Sequence, residues 1–581
     1  MENLLGEAVL RLRAGRVGEI LAGMTLPKST WNVAAALALA ALVFGAFGGA
    51  LACGFVRFDD HGYVYQNPQV VNGLTVDGIR WAFTTVWQQW WLPFLWISYM
   101  ADTSWWGTGP WGYHLTNLLL HAANAGLLFW VCFRLTGARG RSLAVAALWA
   151  VHPLRVESVV WVTERKDVLS GLFFFLALLA YERYARRPGW RRMGLVFAAM
   201  LSGLMSKGTV VVLPALLLLL DYWPLRRAQL PWAPGEGRRW GRLIGEKAVL
   251  FGLSAIFATI NFHTHVGGSG TMPWTQRLGL LATNLWIYLR LTFWPVRLSF
   301  FYPEHDEVAM GAALAALAGL AALLAGLVWL GRRKPYLLVG GLWFPVALLP
   351  VIRGVRLGLA GYADRFTYLP SIGLILALVW AAGEVWERCG VRPGPAPDRP
   401  ARHLWRTVLP AALVAGLVAS MALATRRQTQ TWRDSETLFR HALAVTENNA
   451  VAHANLATCL KEQGRRAEAR EHLEAVLAIK PQRADSLNNL AWMLATDPDA
   501  APEQAARALD LARQAVRNAG TPSAAMLDTL GVAQAACGDY AQAARTAERA
   551  RILALGKRNV ELADEIEERL RLYRAGKPYR P

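Results

Sequence analysis

WNVAAALALAALVFGAFGGALACG, residues 31–54, is an uncharged run of 24 residues, and its reading decides the class of fold. Coiled as a helix it is long enough to cross roughly 30 Å of hydrocarbon. It lies behind a basic leader of 30 residues, exceeds the apolar core of a signal peptide and is followed by many further apolar runs, so it reads as a span and not a cleaved signal. Outward from it, candidate spans fall near 112–133, 142–151, 167–182, 193–206, 208–223, 248–262, 309–330, 335–352, 366–383 and 407–425, eleven crossings in all. Several are short, and 193–206 with 208–223 reads as a broken helix whose halves meet near the outer leaflet. The predicted fold class is all-α, a polytopic membrane domain over 31–425.

Lys and Arg set the orientation. With residues 1–30 placed in the cytoplasm, the inner segments hold 26 Lys and Arg in 99 residues and the outer ones 12 in 132. RYARRPGWRR, WPLRR and GRRK are the clearest pieces of this positive-inside signature. The apolar stretch 281–300 carries Arg290 in its middle, and a crossing there would invert the later loops, so it is expected to lie in the outer interface. Eleven crossings then put residues 426–581 outside. The net charge of +20 belongs to these short connectors, which argues against nucleic acid as a partner. Five scattered cysteines (Cys53, Cys132, Cys389, Cys459, Cys537) lack CxxC spacing, so neither a zinc site nor a disulfide framework is expected.

From about Ser435 the pattern turns to alanine-rich amphipathic helices that repeat. Leu456 and Leu490 stand 34 apart, the tetratricopeptide period; Leu490 to Leu530 is 40 because DPDAAP is inserted. Gly464 and Gly538 each follow their leucine by eight, and Ala457, Ala491 and Gly531 allow close helix packing. Repeats are placed near 451–481, 482–521 and 522–555, with a capping helix after them, within a domain of 426–581. Such a solenoid either grips a protein or peptide or acts as a spacer.

Two outer loops can carry chemistry. The first, 55–111, opens FVRFDDHGYVYQNPQV, setting Asp59 and Asp60 at the membrane surface, where a carboxylate can serve as general base on a hydroxyl or simply solvate a helix end. Its eight tryptophans from Trp81 to Trp111 suit helices lying in the headgroup region. The second, HPLRVESVVWVTERKD, clusters His152, Glu157, Arg165, Lys166 and Asp167. Cations on this side are not topological signals; with Lys207 in LMSKGT and Arg365 in YADRFTYLP they suit a lipid phosphate, or else pair with neighbouring carboxylates. Asp59 and Asp60 would bind a divalent metal only with ligands from distant loops, and the spacing leaves that open.

FDDHGYVYQNPQV, HLTNLLLHAANAGLLF, WAVHPLRVESVVWVTERKDVLSGLFFFLALLAY, LPALLLLLDYWPL, FWPVRLSFFYP and ADRFTYLPSIG, in this order, resemble the transmembrane and tetratricopeptide repeat-containing protein O-mannosyltransferases and their bacterial homologues, of the GT-C glycosyltransferase class. The resemblance covers nearly the whole chain. It implies transfer of a sugar, mannose, from a polyprenyl-phosphate donor to a hydroxyl of a protein acceptor on the outer face of a bacterial cell membrane. It carries Asp59 or Asp60 over as the base, and Arg165, Lys166, Lys207 and Arg365 as holders of the donor phosphate, with His152, Glu157 and Asp167 in support. One departure is Gly208, where many relatives follow the lysine with Glu or Pro. The alternative from the residues alone is a non-catalytic scaffold whose repeats recruit partners for envelope or glycan assembly.

Overall fold

The computed structural model describes residues 28–265, 273–303, 308–352, 361–388, 408–499 and 501–580. The basic leader, Cys389 and most of the inner segment 384–406 therefore lie outside the described residues. Among those described the chain is helical, with one isolated bridge between Trp87 and Trp90 and no named strand.

The membrane part runs α1 (Lys28–Phe47), α2 (Val76–Thr84), α3 (Pro93–Trp106), α4 (Pro110–Thr136), α5 (Arg139–Ala150), α6 (Val156–Val160), α7 (Arg165–Arg186), α8 (Trp190–Leu204), α9 (Leu213–Tyr222), α10 (Glu236–Glu246), α11 (Ala248–His265), α12 (Trp274–Phe293), α13 (Met310–Gly331), α14 (Pro335–Leu348), α15 (Ser371–Arg388) and α16 (Leu409–Gln430). By length and apolar composition five described helices can cross a membrane, Thr30–Ala52, Pro110–Thr136, Val162–Arg186, Met310–Gly331 and Leu409–Gln430, and up to seven if two bent pairs are counted. Other expected crossings fall on shorter apolar helices, Gly208–Tyr222 and Pro335–Leu348.

Three expectations change. The stretch 152–166 is no open loop: α5 bends by 60° into Pro153–Val160, and every residue from 151 to 171 is buried. Its charged side chains find partners inside the protein, which lets an irregular, charged segment sit within the helical layer. Second, the segment 281–300 does not stand alone in the interface. Its α12 packs along α13, where Trp286 Nε1 donates to Ala316 O at 3.0 Å and the rings of Trp286 lie against Gly319, while Arg290 is left on the exposed side. Third, the tryptophans of the first loop divide. Trp105 is 71% exposed, as an interfacial anchor would be, but Trp96 is fully buried and centres a small core with Tyr63, Tyr99 and Tyr113.

The repeats follow as α17 (Ser435–Val445), α18 (Ala450–Glu462), α19 (Arg466–Ile479), α20 (Ala484–Ala495), α21 (Pro502–Asn518), α22 (Ala524–Ala536), α23 (Tyr540–Gly556) and α24 (Val560–Arg574). The helix starts are written in the sequence: Asp434, Asn449, Ser523, Asp539 and Asn559 each accept a backbone N–H from the first turn, at 2.8–3.2 Å. The stops are equally local, since Gly464 and Gly538 take φ of +78° and +84°, which a side chain would strain. Leu456 and Leu490 are fully buried between the helix pairs, and Leu530 packs against the same core.

Candidate functional site

Asp59 and Asp60 follow the 3-10 turn Gly48–Ala52 that ends the first span, and they do opposite things. Asp60 is 1% exposed. One of its oxygens accepts the Val56 N–H at 2.8 Å; the other accepts the Thr163 N–H at 3.0 Å and the Thr163 hydroxyl. It is a staple between the first loop and the buried turn before α7. Burial pushes its carboxyl up to about 6, against the pull of those donors. Asp59 is half-buried and makes no hydrogen bond or ion pair through its carboxylate with a described residue. Burial raises its pKa, while Lys166 and then Arg365 pull the other way.

Lys166, Lys207 and Arg365 come from three separate segments and meet at Glu164. Lys166 Nζ lies 3.2 Å from Glu164 Oε1, Lys207 Nζ 3.0 Å from Oε2, and Arg365 Nε 3.4 Å from Oε1. Asp167 takes Lys207 at 2.8 Å and the Ser158 hydroxyl at 3.1 Å. Glu157 pairs with the Arg365 guanidinium and accepts the Arg365 backbone N–H at 2.8 Å. Aromatic faces close the ring of charge: Lys166 lies over Tyr63 at 5.0 Å and Arg365 over Trp161 at 5.5 Å. The break between α8 and the 3-10 turn Gly208–Val212 sets Lys207 with extended backbone, so the broken-helix reading of that stretch places the lysine at the gap.

Arg165 and His152 are elsewhere, which corrects their expected grouping. Successive residues of a helix fan out by about 100°. At the start of α7 that sends Lys166 and Asp167 into the cluster and Arg165 away from it. The Arg165 guanidinium is fully buried, pairs with Asp102 and donates to Asn117 Oδ1 at 2.8 Å, Tyr113 O at 2.9 Å and Ser98 O at 3.2 Å. With its donors directed to protein acceptors it ties α7 to α3 and α4. His152, 1% exposed, donates from Nε2 to Thr292 O at 2.9 Å and accepts the Leu154 N–H at Nδ1, fixing the turn after α5. Glu164 and Thr163, which sequence reasoning passed over, are the hub and the anchor of the site. Their signal was present in VTERKD, where an acid precedes two cations, but only the fold tells which neighbours converge. Among the described residues no three His, Cys, Asp or Glu side chains are grouped to hold a metal ion.

The first repeat helices pack against the loop that carries Asp59. Gly54 N donates to Arg433 O and Arg57 N to Ser435 Oγ, each at 2.9 Å, and Arg57 pairs with Glu462. Trp161 packs on Trp432, and Phe300 on Phe439. Between them opens a polar groove of about 690 Å³ walled by Arg57 and Tyr65 on one side and by Glu436, Thr437, Arg440 and Gln463 on the other. His61 lies near Arg57 and Asp59; burial lowers its pKa, as does Arg57, while Asp59 pulls it up.

A tetratricopeptide repeat family model matches residues 430–491. The chain is similar to protein O-mannosyl-transferase TMTC1 of Homo sapiens, 25% identical over 534 residues that cover 78% of this chain and 56% of that protein. It is similar to protein O-mannosyl-transferase Tmtc1 of Drosophila melanogaster, 24% identical over 497 residues, 69% of this chain and 55% of that protein. A stretch of 98 residues is 39% identical to protein O-mannosyl-transferase tmtc2 of Xenopus laevis, covering 17% of this chain and 12% of that protein. The chain spans about half the length of the human and fly relatives.

Proposed function

The chain is a homologue of the transmembrane, tetratricopeptide-repeat protein O-mannosyl-transferases, and on that premise we propose that it moves a mannose from a polyprenyl-phosphate donor to a Ser or Thr hydroxyl of a protein. The reading adopts a GT-C-type enzyme in the bacterial inner membrane, N-terminus in the cytoplasm, with site and repeats on the outer face. The observation that carries it is the contrast between the two aspartates: Asp60 is bound up in structure, and the Asp59 carboxylate, near Lys166 and Arg365, has no hydrogen bond or ion pair with a described residue. Asp59 takes the proton from the acceptor hydroxyl as its oxygen bonds to the anomeric carbon from the face opposite the phosphate. The carbon–oxygen bond to the phosphate breaks, its electron pair stays on the leaving phosphate, and the anomeric configuration inverts. Lys166, Lys207 and Arg365 stabilise that anion, positioned by Glu164, Glu157 and Asp167. Arg165 and His152 act through the fold, as positioning residues.

The acceptor reaches Asp59 along the groove between the first loop and α17–α18. Its mixed, polar walls suit the backbone and hydroxyls of an extended peptide, and its volume lies in the range of ligand clefts. Thr437→Trp, which fills the groove at a half-buried position away from the charge cluster, is expected to raise KM for a peptide acceptor about tenfold with kcat much less affected. An unchanged KM would place the acceptor elsewhere.

Asp59 must be ionised to act as a base, and its pKa is raised, so kcat/KM is expected to fall as pH drops through a value above the ordinary carboxylate range of about 4. Lys166, the largest of the opposing influences, holds that value down. Lys166→Gln is therefore expected to move the acid limb of the pH–rate profile to higher pH; a limb that stays in place would remove Asp59 from the role. The function itself is tested by mass spectrometry of exported proteins from cells with and without the gene. Loss of a hexose from Ser or Thr is the expected result, and an unaltered set of glycans would favour the scaffold reading.

A further inference from the structure

We infer that the chain carries a second anion site, at the end of the helical layer opposite the charge cluster, built to hold a phosphate group. Lys207 and Tyr222 are separated by the 3-10 turn Gly208–Val212 and α9. That is about 25 Å at 2.0 Å and 1.5 Å per residue, so the two sites are distinct. At the far end a cavity of about 480 Å³ is walled by Arg226, Arg239 and Arg332 over a floor that includes Tyr222, Trp223 and Leu230, with no acidic residue among its described lining.

The local fold holds these arginines together. Tyr222 Oη donates to Gly331 O at 3.2 Å, which fastens the end of α9 to the turn carrying Arg332. Trp240 Nε1 donates to Gln229 O at 2.8 Å and fastens the connector onto α10. Beneath lies a rigid ionic frame in which Asp221 takes Lys247 at 2.6 Å and Arg227 at 3.0 Å, while Arg227 also reaches Glu246 at 2.8 Å. Arg227, next in the chain to Arg226, is thus committed inward. Arg226 is left exposed, with a backbone φ of +53°, in the left-handed region that disfavours a side chain.

Of the three cavity cations only Arg239 is paired, with Glu236 at 2.9 Å. The guanidinium groups of Arg226 and Arg332 make no ion pair or hydrogen bond with a described residue. An arginine in a short loop can serve orientation alone. Orientation does not require two unpaired guanidinium groups to face one cavity over an aromatic and aliphatic floor. Two forks of N–H donors above apolar surface match a phosphate ester with an organic remainder, and a diester or monoester on a membrane lipid presents that chemistry at this depth. Free inorganic phosphate offers the same oxygens without the remainder.

Native mass spectrometry of the full chain in detergent, titrated with phosphatidylglycerol and with phosphatidylcholine, tests this. The expected result is one saturable phosphatidylglycerol bound about tenfold more tightly than phosphatidylcholine. Arg226→Gln/Arg332→Gln is expected to remove that preference, Arg226→Lys/Arg332→Lys to keep part of it, and Arg187→Gln/Arg191→Gln, two exposed arginines of another turn, to leave it intact. Retention of the lipid against millimolar inorganic phosphate identifies a lipid headgroup as the source, and displacement by phosphate identifies the free anion. Absence of any preference in the parent chain, or equal loss in the Arg187→Gln/Arg191→Gln control, overturns the site. None of these results depends on sugar transfer, so the proposed activity stands or falls separately.

Discussion

Asp59→Asn is expected to lower transfer by ~10²- to 10⁴-fold, the contribution of a positioned general base, and to leave the folded chain as stable as its parent. The carboxylate has no hydrogen bond or ion pair with a described residue to lose, and its burial is a cost that the neutral amide relieves. Asp60→Asn has the opposite signature. Its amide can keep an oxygen toward Thr163 but must turn an NH₂ toward the Val56 N–H, or the reverse, so one buried donor loses its acceptor. That costs about 1–3 kcal/mol. Thermal unfolding of the two variants in the same detergent, beside their transfer rates, separates the roles. Comparable rates with comparable stabilities would mean that the two aspartates are interchangeable, contrary to the geometry.

Glu164→Gln is the substitution expected to damage the fold most. It takes the shared carboxylate from Lys166, Lys207 and Arg365 at once and leaves buried cations facing an amide. Breaking one buried pair by removing a partner costs about 3–5 kcal/mol. Asp167 still holds Lys207 and Glu157 still holds Arg365, so Lys166, whose one described ion pair is with Glu164, carries most of the effect. A denaturant midpoint close to the parent's would show that the cations find water or lipid instead, and would remove Glu164 as the hub. Adding Lys166→Met to Glu164→Gln is expected to restore part of the loss, because an unpaired charge is replaced by an apolar chain of similar length.

Much of this is legible in the amino-acid sequence. Composition and uninterrupted apolar runs are enough for a helical membrane domain, because a spanning backbone must satisfy its own hydrogen bonds. The repeats were legible in finer detail: the interval from Leu456 to Leu490 and the glycines eight residues on recur as buried packing positions and left-handed helix stops. The motif VTERKD announced chemistry, but adjacency in sequence misled. Arg165 and Lys166 are neighbours in the chain and point to different parts of the molecule, since helix geometry separates consecutive side chains. Burial was misread for the same stretch. A run rich in Glu, Arg, Lys and Asp reads as a solvated loop until long-range partners such as Asp102, Lys207 and Arg365 are brought to it.

The relation of the repeats to the acidic loop came out firmer than counting crossings could make it. Hydrogen bonds from Gly54 to Arg433 and from Arg57 to Ser435 put the first repeat helix beside Asp59 whichever way the later helices cross. This contact gives the groove beside the first loop its second wall, and the proposed route of the acceptor follows it.

The most direct measurement is transfer by the purified full chain in liposomes, supplied with polyprenyl-phosphate mannose and a peptide containing Ser and Thr. The account predicts a hexose on the peptide hydroxyl, with the anomeric configuration opposite to the donor's, and its loss in Asp59→Asn. Donor that is bound but never transferred by the parent chain, or undiminished transfer by Asp59→Asn, would contradict it.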